Sequence, residues 1–363
     1  MLERYTHDRP LRVYWEITRA CDLACRHCRA QATPARHAEE LTTGEGERLL
    51  GQLADSGEPR PHVIFTGGDP LIRGDLFHLI GTARRLGLPV SVAPSATPLL
   101  TPDALQRLRA AGVEAISISL DGSSAWRHDA IRGIEGTFAR TVAAAAVAAD
   151  IGLPFQVNTL VCAETVDDLP AVYDQAAGLG AARWSLFFLV AVGRGQLLQP
   201  VSAERAESVL LWADGLNVGR EPGMPVVTTT EAPQFRRIVL QRWRAESRTS
   251  SGADRASGHA GHAAGVRDGN GILFISHRGD VCPSGFLEIP AGNVRSQNVL
   301  EIYRQAPLFQ QLRNPDTFHG RCGYCEYRWV CGGSRARAYA AAGDPLGEDP
   351  LCVYHPSECH ASA

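Results

Sequence analysis

At 363 residues, 44% hydrophobic and 21% charged, the chain has the composition of a soluble globular protein long enough for about two domains of ~150 residues. A formal net charge of -3 gives no electrostatic case for nucleic acid or an anionic membrane, and no apolar run approaches ~18 residues. The N-terminal Met1-Leu2-Glu3-Arg4-Tyr5 is not a signal peptide, so a cytoplasmic protein without nucleic-acid or membrane partners is expected.

Residues 1–10 read as a short arm. From 11 to 195, short β-branched or apolar runs alternate with helical patterns, as in a parallel α/β sheet. The expected strands are Arg12–Thr18, His62–Thr66, Pro89–Ala93, Ala115–Leu120, Pro154–Leu160 and Trp184–Val190. Helices are expected around Gly44–Asp55, Gly74–Leu86, Pro102–Ala111, Thr137–Ile151 and Val166–Leu179. Thr43, Thr101 and Asp167 mark helix starts, and Gly87, Gly112, Gly152 and Gly180 mark stops. Six strands and five crossover helices fit an α/β fold, a partial (β/α)6 TIM-like barrel with its site at the C-terminal strand ends.

The alternation ends near Gly193. Residues 196–243 read as a connecting helical segment, with a helix over 203–217 and a turn at Pro222–Pro225. Residues 244–271, rich in Ser, Gly, Ala and His, read as a flexible linker, in which His259 and His262 are solvated rather than metal ligands. A small cysteine-rich domain occupies 272–358, and 359–363 form a tail.

The chain has ten cysteines and no lysine. The missing lysine excludes a Schiff base to pyridoxal phosphate and a Walker A phosphate loop. In a reducing compartment, clustered cysteines point to metal rather than disulfides. Cys21-Asp22-Leu23-Ala24-Cys25-Arg26-His27-Cys28 follows the first strand with Cys-x3-Cys-x2-Cys spacing. Three thiolates can hold three irons of a cubane cluster and leave the fourth open to a chelating ligand. A zinc knuckle or buried free thiols are the alternatives, although zinc favours paired Cys-x2-Cys units and a fourth ligand. After the second strand, Gly67 and Gly68 allow close backbone approach, and Asp69 is an acceptor for an amine; an ordinary strand-to-helix turn is the other reading. After the fourth strand, Ser117, Ser119 and Asp121 suit ribose hydroxyls, and Arg132 suits a carboxylate; a polar loop with a solvated arginine is the alternative.

The three cysteines, Gly67-Gly68-Asp69-Pro70 and Ser119-Leu120-Asp121-Gly122, in that order, resemble the radical S-adenosylmethionine (radical SAM) superfamily over about residues 10–195. The resemblance implies a [4Fe–4S] cluster on Cys21, Cys25 and Cys28 whose open iron is chelated by the methionine moiety of S-adenosylmethionine (AdoMet). Gly67, Gly68 and Asp69 would receive the amino group, and Pro70, Ser119, Asp121 and Arg132 would make further contacts. His27 would lie near the adenine. One electron, from a reductase, ferredoxin or flavodoxin, would release methionine and a 5′-deoxyadenosyl radical that abstracts hydrogen from the substrate. Asp69 stands where the family usually has Glu.

Cys322-x2-Cys325-x5-Cys331, with Cys352 beyond, resembles the auxiliary-cluster domain known as SPASM. A full version has seven cysteines and two extra four-iron clusters. Here Arg335 and Ser284 stand where ligand cysteines are expected, and Cys282 comes two residues early. Removing the seven assigned thiols leaves Cys162, Cys282 and Cys359, too few for a second all-cysteine cluster. One fully ligated auxiliary [4Fe–4S] cluster is therefore expected, with structural zinc as the alternative. Cys162 reads as a buried thiol and Cys359 as a free tail residue. Thr228-Thr229-Thr230-Glu231-Ala232-Pro233 looks like a Thr-Cys-Ala-Pro segment of heme d1 and alternative heme enzymes, with Glu231 replacing the cysteine.

The expected substrate is a tetrapyrrole carboxylate side chain, to which Arg236 and Arg237 could pair if they are not simply a solvated helix face. A ribosomal-peptide (RiPP) maturase is the alternative, weakened because only the ten-residue arm precedes the first strand. A non-catalytic iron–sulfur electron carrier or scaffold is the reading from another class.

Overall fold

The six expected strands form within two residues of their expected ends: β1 Arg12–Glu16, β2 His62–Thr66, β3 Val90–Val92, β4 Ala115–Ser119, β5 Phe155–Val161 and β6 Arg183–Phe188. The computed structural model describes residues 7–249 and 266–356. Helices α1 Thr43–Ala54, α2 Leu76–Arg85, α3 Pro102–Ala110, α5 Thr137–Asp150 and α6 Leu169–Gly178 cross between the strands, and α4, Ala125–Arg132, occupies a stretch where no helix was expected. Neighbouring strands pair in parallel, so every strand from β1 to β6 delivers its C-terminal end to one rim.

Two caps differ from expectation. Thr42 rather than Thr43 caps α1, in a capping box with Glu45, while Asp167 caps nothing. Thr101 caps α3 as expected by accepting from the Ala104 N–H at 3.1 Å. The sheet is also wider than six strands. After α7, Ala203–Val218, strand β7, Val226–Thr230, pairs in parallel with β6 before α8, Gln234–Thr249. The stretch read as a helical connector therefore contains a strand. On the far edge, β8, Ile272–Ile275, runs parallel to β1, followed by antiparallel β9, Asp280–Cys282, and β10, Gly292–Asn293. The strand order is β10-β9-β8-β1-β2-β3-β4-β5-β6-β7. The cysteine-rich stretch thus shares the barrel sheet.

Of the expected linker, 244–249 complete α8 and 266–271 form a turn whose Gly271 carbonyl accepts the Leu11 and Arg12 N–H groups at 2.9 Å each. His259, His262 and Cys359 lie outside the described residues. Flanked on both sides, β1 buries Val13 and Trp15 completely. Trp15 packs on Phe65, and α1 approaches the indole through Gly46, where an added Cβ would lie 2.6 Å from the ring. No helix among the described residues is long and apolar enough to cross a membrane.

Candidate active site

The loop leaving β1 carries Cys21, Cys25 and Cys28 onto the wall of a cavity of about 230 Å³ at the rim, shared with Gly67, Gly68, Ser95, Ser119, Asp121 and Arg132. Each sulfur faces one N–H donor: Leu23 N–H at 3.4 Å from Cys21 Sγ, Arg132 Nη1 at 3.7 Å from Cys25 Sγ, and Ala32 N–H at 3.5 Å from Cys28 Sγ. Donors aimed at sulfur favour the thiolate that metal ligation requires. As a free thiol, Cys21 is pushed up to about 11 by burial, so ligation must displace its proton.

Glycines from neighbouring strand ends grip this loop by its carbonyls. An added Cβ would lie 2.3 Å from Thr18 O at Gly67, 2.3 Å from Ala20 O at Gly68, 2.6 Å from Ala24 O at Gly133 and 2.4 Å from Arg29 O at Gly193. Backbone contact this close leaves no room for a side chain. Arg194 adds a clamp, donating from its backbone N–H to Cys28 O at 3.0 Å and from Nε to Cys25 O at 2.8 Å. Sequence reasoning missed Arg194 and Ser95, whose Oγ donates to Gly68 O at 2.7 Å and lies 3.6 Å from Cys21 Sγ. Their signal was the position alone, just beyond a strand end.

Asp69 and Pro70 are not brought to the cavity wall. The Asp69 side chain is fully buried behind the turn, accepting from Thr97 Oγ1 at 2.6 Å and the Leu71 N–H at 3.1 Å. Burial raises its pKa against those hydrogen bonds. Pro70 opens the short helical turn that Asp69 caps. Asp121 and Arg132 do reach the wall, paired to each other at 2.6 Å. Burial opposes the Asp121 charge, but Arg132 outweighs it and holds the carboxyl below its usual range. Burial, reinforced by Arg132, lowers His27 to about 4, so the ring is neutral. On this wall His27 Nδ1, Arg132 Nε and Arg194 Nη2 are buried without a hydrogen-bond partner. Three orphaned polar atoms beside three thiols and a glycine turn fit a polar ligand at an iron site.

A buried ion network fixes the loop to the rest of the chain. Glu16, at the end of β1, pairs with Arg29 at 3.0 Å, Arg19 at 3.2 Å and His277 at 2.8 Å, and Glu288 pairs with Arg29 at 2.9 Å and Arg19 at 3.3 Å. Burial pushes the Glu16 carboxyl up, yet Arg29, the His277 hydrogen bond and Arg19 hold it at about 2.

In the C-terminal part, Cys322, Cys325, Cys331 and Cys352 line one narrow cavity. They too face donors: Arg335 Nη2 at 3.5 Å from Cys322 Sγ, Tyr327 N–H at 3.4 Å from Cys325 Sγ, Gly333 N–H at 3.5 Å from Cys331 Sγ, and the Tyr354 N–H on Cys352. Among the described residues no group of three His, Cys, Asp or Glu side chains is arranged to hold a single metal ion. A four-iron cluster spreads its ligands more widely than a zinc tetrahedron does. Ser284 caps a turn, its Oγ accepting from the Phe286 and Leu287 N–H groups at 3.3 and 3.2 Å. Cys282 is buried on β9 beyond that cavity, and Cys162 is buried with Leu160 and Leu189.

Glu231 follows β7 in the left-handed region, at φ +57°, and accepts from Ser334 Oγ. Burial and the neighbouring Asp268, with which it shares a hydrogen bond, raise its pKa well above the carboxylate range. Neither adjacent arginine is a solvated helix face. Arg237 is buried against Glu207 at 2.5 Å, and Arg236 donates to Val266 O and Val330 O.

Residues 15–176 match the family model described as the radical SAM superfamily. The AdoMet-dependent heme synthase of Nitratidesulfovibrio vulgaris is 40% identical over 346 residues, 95% of this chain and 92% of that one. The chain belongs to the radical SAM superfamily. The AdoMet-dependent heme synthase of Methanosarcina barkeri is 39% identical, covering 96% of this radical SAM enzyme and 98% of its own length. The structure of Streptococcus suis SuiB bound to S-adenosylmethionine shares the fold, at TM-score 0.75 and 16% identity over 97% of this chain and 79% of that chain. Radical SAM membership implies a [4Fe–4S] cluster and AdoMet.

Proposed function

We propose that Cys21, Cys25 and Cys28 hold that [4Fe–4S] cluster and that AdoMet fills the adjoining cavity. The convergence of three donor-supported thiols with the Gly67–Gly68 turn on one wall carries this reading. When bound, cluster and AdoMet supply a 5′-deoxyadenosyl radical after one-electron reduction. The chain's own residues bind and orient. Gly67 and Gly68 offer backbone to the methionine amine, and Asp69 keeps the turn in shape through Thr97 and Leu71. Arg132 Nε and His27 Nδ1 are the unpartnered atoms that meet the carboxylate and the adenine side, with Ser119 on the same wall. Asp121 holds Arg132 in place. The rim excludes bulk water from the reactive centre.

Cys322, Cys325, Cys331 and Cys352 hold one auxiliary [4Fe–4S] cluster in a SPASM-like domain over about 272–358. The substrate is a tetrapyrrole carboxylate side chain in heme-type synthesis. Heme synthases at 39–40% identity support this over the PqqA peptide cyclase of Gluconobacter oxydans at 29%. Burial of Arg237 against Glu207, and the two backbone carbonyls that Arg236 holds, argue against both as substrate anchors. A ferredoxin or flavodoxin in the cytoplasm supplies the electron.

The test is anaerobic reconstitution with dithionite, AdoMet and an iron tetrapyrrole such as iron-coproporphyrin III. Production of 5′-deoxyadenosine, stimulated by the tetrapyrrole and matched by a change in its side-chain mass, is expected. No 5′-deoxyadenosine sinks the radical reading; 5′-deoxyadenosine without tetrapyrrole stimulation sinks the substrate. About eight irons per chain fit two four-iron clusters, whereas about twelve refute them.

A further inference from the structure

Three arginines, Arg335 and Arg267 buried and Arg236 partly buried, stand around the C-terminal thiols without an ion pair among the described residues. Arg335 is fully buried, donates to the carbonyls of Gly333, Pro345 and Gly347, and reaches Cys322 Sγ through Nη2 at 3.5 Å. Arg267, 4% exposed, donates to Trp329 O and Leu312 O at 3.4 Å each. Arg236 donates to Val330 O and Val266 O. The guanidinium carbons of Arg335 and Arg267 lie over the Phe318 ring, 4.6 and 5.8 Å from its centroid. None of the three forms an ion pair with a described carboxylate, whereas Arg237 beside them is neutralised by Glu207. Backbone carbonyls accept from these guanidiniums, Arg267 Nε is left without a partner, and the buried Asp268 is a carboxylate whose charge acts on Arg236 and Arg267.

Burying a guanidinium is expensive unless negative charge lies close by. Burial and the neighbouring Arg236 and Arg335 lower Arg267 to about 9, and burial lowers Arg236 to about 10, while Cys331 and Asp268 act in the opposite direction on both. Once ionised, the thiols therefore add counter-charge to that of Asp268. Four thiolates around a [4Fe–4S]²⁺ core carry a net charge of −2, and one-electron reduction makes it −3. Positive charge and an N–H donor on a ligand sulfur favour the more negative state.

We propose that Arg335, donating to Cys322 Sγ with the positive charge of Arg236 and Arg267 beside it, raises the reduction potential of the auxiliary cluster. This rests on the reading that the four cysteines hold a [4Fe–4S] cluster. The redox step is the transfer of one electron from dithionite to the core, taking it from 2+ to 1+, with no bond or proton changed.

The experiment uses the full-length chain carrying Cys21→Ala, Cys25→Ala and Cys28→Ala, so that only the auxiliary cluster is reconstituted. Iron is counted first, and the cluster is then titrated with dithionite in the presence of mediators and followed by electron paramagnetic resonance. Arg335→Gln is expected to lower the ratio of reduced to oxidised cluster about tenfold at a fixed potential, ~59 mV for a one-electron couple. Arg335→Lys, which keeps the charge and loses the planar fork, recovers part of that fall. An unchanged ratio in Arg335→Gln overturns the proposal. If Arg335→Gln loads no iron, Arg267→Gln, which touches no sulfur, is expected to lower the ratio about threefold, and no change there overturns it equally. A parent that loads no iron overturns the cluster reading and this inference together, and the iron count reveals that before any titration.

Discussion

Gly193→Ala isolates how tightly the strand-end rim fixes the cluster loop. Gly193 has φ +53°, and an added Cβ would sit 2.4 Å from Arg29 O and 2.6 Å from Cys28 O, both backbone atoms. To reach an ordinary contact of 3.4 Å, the rim and the carbonyls flanking Cys28 must part by ~1 Å. The left-handed backbone adds ~1–2 kcal/mol, and the displacement about another 1–3 kcal/mol. Gly180→Ala is the control: its φ is +80°, with nothing within 4 Å of the new Cβ, so it carries only the conformational cost. With ~2.1 cal/mol/K per residue of unfolding entropy, each kcal/mol moves the Tm of this 363-residue chain by ~1 °C. Gly180→Ala should lose ~1–2 °C and reconstitute to about eight irons. Gly193→Ala should lose ~2–5 °C and stop near about four irons, with AdoMet cleavage at least ~10-fold lower. Calorimetry of the apo chain and iron and sulfide analysis after reconstitution read both effects. If the two variants match in Tm and in iron, the idea that this glycine positions Cys28 is wrong.

Glu16 sets the acid limb of stability. Its folded pKa of about 2 lies below the ordinary 4.5, so its contribution is complete above ~4.5 and disappears as pH falls towards 2. That difference corresponds to about 3 kcal/mol, and Glu16→Gln should flatten acid unfolding between those limits; an unchanged slope refutes the assignment. Glu231 has the opposite sign: its raised pKa makes the fold lose stability as pH rises above 4.5. Glu231→Gln should therefore match or exceed the parent Tm at pH 8, and a loss of several degrees there would exclude a shared proton with Asp268. Gly46→Ala pushes a methyl into Trp15 and should cost about 1–3 kcal/mol without altering iron content, as read by urea unfolding and iron analysis; parent-like stability would show that α1 slides freely.

Much of the site was legible because its parts are local in sequence. Cys21 to Cys28 span eight residues, and the glycine turn and the Ser119–Asp121 strand end each follow a β-branched run directly. What escaped is non-local or depends on side-chain direction. The link between Glu16 and His277 crosses 261 residues, and no pattern within either segment announces it. Asp69 was placed correctly in the chain, but whether a strand-end carboxylate faces the cavity or turns back to cap its own turn is decided by Thr97, twenty-eight residues away. Strand β7 was hidden because Thr228-Thr229-Thr230 reads as polar, although β-branched threonines suit a strand that pairs with β6. Helix α4 is one short run in a polar stretch, stabilised by packing on α5 rather than by a strong apolar face.

The pairing of β8 with β1 also has a consequence in time. Strand β1 ends at Glu16 and its second neighbour begins at Ile272, so the 255 residues from 17 to 271 must be synthesised in between. At ~5–20 residues per second, the growing chain holds β1 as an open edge for about 13 to 51 s. Arg29, one residue past the last cysteine of the loop, meets Glu288 only after that. The nascent loop therefore emerges among the first residues and is locked among the last.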